Sequence, residues 1–304
     1  MTNDQAEALR NLVKQEEHGR TALPRTEPPE RQTRIFTITS GKGGVGKSNF
    51  TLNFALQLQS LGYKVLVFDA DIGMANIDVL MGVSPKYSLY HLLKREKSIE
   101  EIICRGYNDL QFIAGGSGFN DLLSLSAEEL EYFNSQVMSL SGTVDFILFD
   151  TGAGLSKESL KFITAAEQTI VVTTPEPTSI TDAYAIIKMV HAQEPSVRFQ
   201  LVVNRVTDRL EGKQTADKIR LVSQQFLQLD IPTLGYIPDD ANVSKAVKKQ
   251  TPFSVMFPET AATRELKELV RRFESSSRAP LAEPSVDAAG GVKRFLSRML
   301  SFMR

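Results

Sequence analysis

Residues 34–49, RIFTITSGKGGVGKSN, constrain the fold of this chain more than any other stretch. An apolar, β-branched run ends directly in a glycine-rich loop, and a lysine–serine pair then opens a segment of helical periodicity. Gly41 to Ser48 match G-x-x-x-x-G-K-[ST], in which successive backbone N–H groups and a helix N-terminus converge on anionic phosphates. A strand–loop–helix unit presents those groups together, at the carboxyl edge of a sheet. Lys47 is the lysine that reaches the β- and γ-phosphates, and the Ser48 hydroxyl is the expected Mg²⁺ ligand. Gly41, Gly43, Gly44, Val45, Gly46 and Asn49 complete the expected phosphate cradle. Lys42 is a second cation that the pattern does not require.

The rest of the central chain agrees with that unit. Further apolar runs, KVLVFD, LQFIA, VDFILFD, QTIVVT, RFQLVVN and IPTLGYI, lack polar alternation, which suits strands covered on both faces. Helix-compatible segments at 47–61, 126–140, 156–166, 179–193 and 214–229 separate most of them. This alternation predicts a doubly wound, mostly parallel α/β sheet with helices on both faces. Composition sets the boundaries: a polar arm and Pro-rich linker over 1–33, the α/β domain over 34–274, a second linker over 275–291, and a short tail over 292–304.

Two strand ends carry acids. Asp69 and Asp71, in FDADIGMANID, straddle one residue beside the phosphate loop. One can help hold the water shell of Mg²⁺ and the other can orient an attacking water. Asp150 ends VDFILFD, the pattern of an acid that binds Mg²⁺ through water in nucleotide hydrolases. The glycines of the following TGAG allow a backbone that responds to the γ-phosphate. For the base, a guanine reader would carry N-K-x-D. Here Asn204 and Arg205 are followed by Thr207 where that Asp would stand, and the Asn204 amide matches the N6 and N7 edge of adenine. ATP with Mg²⁺ is therefore the expected ligand.

The tail, VKRFLSRMLSFMR, places Val292, Phe295, Leu296, Met299 and Met303 on one helical face, widened by Leu300 and Phe302. Basic residues and serines occupy the other side. A basic amphipathic helix beyond a flexible linker suits an anionic membrane surface; a helix docked on the protein's own core, or on a partner, shows the same pattern. At the other end, Thr2 and Gln5 form a capping box ahead of Leu9, Arg10, Leu12 and Val13, a short helix that would order on a partner.

Bulk properties exclude several classes. A net charge of -1 gives no reason to expect nucleic-acid binding, and one cysteine, Cys104, excludes an internal disulfide or a paired-thiolate cluster site. No secretory h-region and no run of spanning length occurs. The expected location is cytoplasmic, peripheral on the inner face of the cell membrane. The three histidines, scattered along the chain, show no ligand spacing.

Taken together, KGGVGKS, DADIGMANID, FDTGAG, TTPEPTSITDAY, VVNRV and YIPDDANVSKAV make the chain resemble the deviant-phosphate-loop ATPases, the MinD and ParA class. The resemblance covers residues 34–274. It implies an ATP-driven homodimer, with Lys42 crossing to the partner subunit's phosphates and Asp71 orienting the water; slow hydrolysis is expected because the loop region carries no glutamine or arginine finger. It also implies adenine contacts from Asn204 and the Pro238, Asp239 and Asp240 segment, with Mg²⁺ held by Ser48, Asp69 and Asp150. DTGAG, and the DQAEALR arm with Asp4, Gln5, Ala6, Leu9 and Arg10, resemble the branch of that class that regulates flagellar number and placement. That branch implies stimulation of the signal-recognition-type GTPase FlhF through the arm, and contact with C-ring components of the flagellar basal body. A MinD-type division-site regulator or a ParA-type partition ATPase is the alternative.

Overall fold

The structure is a computed structural model that describes residues 33–71, 76–115, 127–278 and 290–301. The expected arm residues Asp4, Gln5, Ala6, Leu9 and Arg10, and the tail residues Phe302 and Met303, lie outside the described residues.

Eight strands form one sheet: β1 Arg34–Thr39, β2 Val65–Ala70, β3 Cys104–Arg105, β4 Gln111–Ile113, β5 Phe146–Thr151, β6 Gln168–Thr173, β7 Arg198–Val206 and β8 Thr233–Pro238. Their order across the sheet is β3-β4-β2-β5-β1-β6-β7-β8. All pairings are parallel except that of β3 with β4 at the edge. The two-residue β3 carries too little periodic signal to be visible in the sequence. The six apolar runs that follow the loop become β2 and β4 to β8, as expected for strands buried on both faces.

The register of β1, β2 and β5 builds the site. Ile38 pairs with Asp150, and Asp69 also pairs with Asp150, so the ends of three central strands lie side by side. The phosphate loop leaves β1 at this edge and enters α1, Lys47–Ser60.

Short helices α2 Ile77–Met81, α3 Leu89–Leu93 and α4 Ile99–Ile102 follow β2, and α5 spans Ala127–Met138. Four longer or mid-length helices follow: α6 Lys157–Ala165, α7 Pro177–Gln193, α8 Arg209–Leu227 and α9 Ala241–Lys248. The chain closes with α10 Phe253–Met256, α11 Ala261–Arg278 and α12 Gly290–Ser301. One face of the sheet is covered by α1 and α11, where Phe273 packs edge-on to Phe36 and Phe54 with ring centroids 4.9 and 5.0 Å apart.

The tail takes the docked arrangement, one of the alternatives its amphipathic pattern leaves open. Val292, Phe295, Leu296 and Met299, the face assigned to a membrane, are 0–3% exposed and sit in the core beneath the other face of the sheet. Phe295 stacks on Phe149 at 4.8 Å. Arg294 pairs with Glu167 at 3.1 Å, and Arg298 donates to the Ser196 hydroxyl at 3.0 Å. A twelve-residue amphipathic helix is marginal alone, and burying one large apolar side chain is worth about 1.5–3 kcal/mol. Docking on its own core therefore decides where this helix rests.

Candidate functional site

Two adjoining cavities open at the carboxyl edge of the sheet. The larger, about 740 Å³, is lined by the phosphate loop, Asp71, Asn76, and Gly152, Ala153, Ser156 and Ser159 of the segment after β5. The smaller, about 360 Å³, lies between the loop and the Asn204–Arg205 and Pro238–Asp240 segments, closed by Val243, Ser244, Val247 and Phe253. Gly44, Gly46, Asn49 and Val247 border both. A phosphate chain in the first would place its nucleoside in the second.

The loop folds this way for local reasons. Gly46 caps α1 at φ +89°, and a side chain there would also meet the Asn204 amide. Gly41 packs against the backbone of Asp182 and Ala183 in α7, leaving no room for a Cβ. The resulting cradle points amides and the α1 N-terminus at the larger cavity.

Lys47 and Asp150 form the electrostatic centre. Lys47 Nζ lies 2.9 Å from Asp150 Oδ2, with side chains 6% and 0% exposed. The same ammonium group contacts Ser48 Oγ at 3.2 Å, and Thr51 Oγ1 donates to Asp150 Oδ1 at 2.6 Å. A buried carboxylate is tolerable only with such partners. Here cation, hydroxyl and carboxylate share one spot, which is the chemistry an Mg²⁺–triphosphate needs. Among the described residues no group of three or more His, Cys, Asp or Glu could by itself hold a metal ion. Mg²⁺ binds through one or two protein oxygens plus phosphates and water, and the Ser48 hydroxyl and Asp150 carboxylate are oxygens of that kind.

The two acids after β2 have different surroundings. Asp71 is half-buried in the wall of the larger cavity, and burial holds its carboxyl above the usual range, with Asp150 adding to the shift and Lys47 opposing it. Asp69 does not line that cavity. It is 1% exposed, and its oxygens accept from the backbone amides of Asp71, Asn76 and Ile77 at 3.3, 2.9 and 3.0 Å. Burial, then repulsion from Asp150, pushes its carboxyl up to about 7 in spite of those bonds. Asp69 thus bonds the backbone at both ends of the segment after β2, and it lies beside Asp150 across the β2–β5 pairing.

The base-side residues are arranged around the smaller cavity. Asn204 Nδ2 donates to the Val45 carbonyl at 2.7 Å, tying β7 to the phosphate loop. Arg205, held at φ +58°, pairs with Asp239 at 3.5 Å. Asp240 caps α9 by accepting from Asn242 N at 2.9 Å, so its carboxylate is used structurally.

Lys42 points elsewhere. Its ammonium group bonds Glu176 Oε2 at 2.8 Å and Thr178 Oγ1 at 3.1 Å, with the side chain 41% exposed. The partner is therefore the chain's own α7 region. Sequence reasoning had no signal for this contact, because residue 176 is distant in the chain. It also passed over Thr51, Ser156 and Ser159. Only the S-x-x-S spacing after TGAG hinted at the last two.

A glycine-rich phosphate loop with a buried lysine–aspartate pair on a doubly wound sheet defines a P-loop nucleotide-binding protein. Residues 36–253 match the CobQ/CobB/MinD/ParA nucleotide-binding domain, and the chain belongs to that family. Within it the chain belongs with the FlhG group of flagellar MinD-like ATPases. It is 33% identical over 242 residues to the antiactivator FleN of Pseudomonas aeruginosa, covering 80% of this chain and 86% of FleN. It is 35% identical over 273 residues to the flagellum site-determining protein YlxH of Helicobacter pylori, covering 89% and 91% of the two chains. Among solved structures, MinD in the Aquifex aeolicus MinC:MinD complex superposes with a TM-score of 0.66 at 25% identity, over 82% of this chain and 99% of that one. MinD of Pyrococcus horikoshii complexed with Mg-ADP gives a TM-score of 0.65 at 25% identity, over 83% and 100%.

Proposed function

We propose that this protein is a slow ATPase switch that sets flagellar number or placement. ATP·Mg²⁺ drives a homodimer, the dimer binds an anionic membrane, and hydrolysis resets the monomer. The observation that carries this reading is the contrast within one loop. Lys47 is buried against Asp150, committed to its own subunit's phosphates, while Lys42 sits at the rim with two exposed partners, Glu176 and Thr178, to give up. When bound, Mg²⁺ would supply charge neutralisation for the phosphates, held by Ser48 and, through water, Asp150. Asp71 accepts a proton-bearing water at the cavity wall. Burial biases its carboxyl toward accepting a proton. Asn204, Arg205 and the Pro238–Asp239 segment hold the adenine, and the Val45 bond leaves Asn204 Oδ1 to accept from its N6 amino group.

The membrane half of the reading requires α12 to leave its seat. Arg294 and Arg298, which fasten the docked helix, are the side chains that would meet lipid phosphates. One such helix binds weakly, and two on a dimer gain avidity without a new contact. Molecular size and liposome pelleting, measured side by side with ATP, ADP and no nucleotide, test this. Dimerisation and pelleting are expected together and only with ATP. Removal of residues 292–304 should abolish pelleting while nucleotide binding persists. Pelleting that survives the truncation would refute the role given to the tail.

The arm supplies output. Residues 1–20 resemble the segment that stimulates FlhF, and C-ring components are the further partners this reading implies. Deleting those residues should remove stimulation of the FlhF GTPase while ATP hydrolysis persists. Undiminished stimulation would place the output elsewhere.

A further inference from the structure

The first turn of α6 brings two hydroxyls, Ser156 and Ser159, to the wall of the phosphate cavity. Ser156 caps the helix by accepting from Ser159 N at 3.0 Å, and its own hydroxyl contacts Ser159 Oγ at 3.0 Å. Ser159, 2% exposed, turns back and donates to the Gly152 carbonyl at 3.1 Å. Gly152 lies close to both Ser159 and Asp71. A side chain built there would lie 3.1 Å from Ser159 Oγ and 3.4 Å from Asp71 Oδ1. Ser159 therefore holds the Gly152 peptide, which lies between the α6 N-terminus and the Asp71 carboxylate.

Three residues on, along the same helical face, Phe162 meets two aromatic rings. Its centroid is 5.4 Å from that of Phe149 and 6.5 Å from that of Phe295 in the tail helix. Phe149 immediately precedes Asp150 in β5. One short helix thus holds the segment after Asp150 at its first turn and supports the docked tail at its second. Ser159 and Phe162 lie about one turn apart on α6, so a shift of the helix as a unit moves both.

We propose that Ser159 is a positioning residue that couples the nucleotide site to the docked tail. Its bond to the Gly152 carbonyl makes α6 follow the switch segment when a nucleotide reshapes it, and Phe162 then shifts the seat of Phe295. This rests on the reading that ATP releases the tail. Without the hydroxyl, the Gly152 segment can rearrange around ATP while α6 stays behind.

Amide hydrogen exchange over residues 290–301 tests the coupling in the full chain, with and without ATP·Mg²⁺. The proteins are the wild type, Ser159→Ala, Ser159→Thr and Phe162→Leu, with ATP affinity and melting midpoint recorded alongside. In the wild type, ATP should accelerate exchange of the tail at least about tenfold. At ATP concentrations that saturate each protein, Ser159→Ala should show less than about a twofold change in tail exchange. Ser159→Thr, which retains the hydroxyl, should restore the response. A wild-type response in Ser159→Ala, or no rescue by a normally melting Ser159→Thr, overturns the coupling. Should Ser159→Ala melt early, Phe162→Leu probes the other end of α6, and tail exchange independent of ATP is expected; a wild-type response overturns the proposal. A wild-type tail indifferent to ATP overturns the tail-release reading itself, and is seen before any variant is made.

Discussion

Lys42 and Lys47 stand five residues apart in one loop and have opposite surroundings. Lys47 is buried, hydrogen-bonded to Ser48 and paired with an equally buried Asp150. Lys42 is at the rim, paired with Glu176, whose carboxyl it holds below the usual range mainly through their hydrogen bond. A buried pair is fixed, since removing either partner strands a charge, whereas an exposed pair is worth little and exchanges partners readily. The difference teaches that one loop can hold a committed cation for its own ligand and a loosely held one that is available to another.

Breaking the committed side should have the larger effect. Lys47→Ala strands Asp150 and should lower stability by about 3–5 kcal/mol as well as abolish ATP binding. Chemical denaturation and nucleotide titration measure both, and a variant of wild-type stability would contradict the buried pairing. Breaking the loose side should leave the fold intact. Lys42→Ala should melt within about 1 kcal/mol of wild type and still bind ATP, but fail to dimerise or hydrolyse it. In the same assays Asp71→Ala should bind ATP and dimerise without hydrolysis. Dimers of Lys42→Ala at wild-type ATP concentrations would remove the role given to that cation.

The smallest effect sharpens the electrostatics around that pair. Asp69 binds its proton more tightly in the folded protein than in the unfolded chain, because its carboxyl is pushed up to about 7 from an ordinary 3.8. Its contribution therefore favours folding at low pH and is lost as pH rises from about 4 to about 7. Stability of Asp69→Asn should show a shallower decline across that window, by a few kcal/mol at most. Equal slopes in the two proteins would show that Asp69 ionises normally.

Much of this site was legible in the sequence because its determinants are local. Gly41 to Ser48 specify their own turn, and DFILFD states in six residues that a strand delivers Asp150 to the sheet edge. Asp71 was equally legible, and it lines the larger cavity. Asp69 was legible as an acid at the end of β2, but its bonds from the Asp71, Asn76 and Ile77 amides were not, because spacing cannot reveal them. The contacts of Glu176 and Ser159 were hidden for a related reason. Each acts through a contact across elements, and a glutamate or serine carries no periodic signal of its own.

The sequence by itself determined the phosphate loop, the parallel sheet around it and the amphipathic character of the tail. Each follows from backbone geometry and side-chain period over a few consecutive residues. Only the tertiary structure decided that Lys42 rests on Glu176 and that the tail buries Phe295 against Phe149 and Phe162. An amphipathic period states that a face will be covered. Which surface covers it depends on where chain segments more than a hundred residues away come to lie.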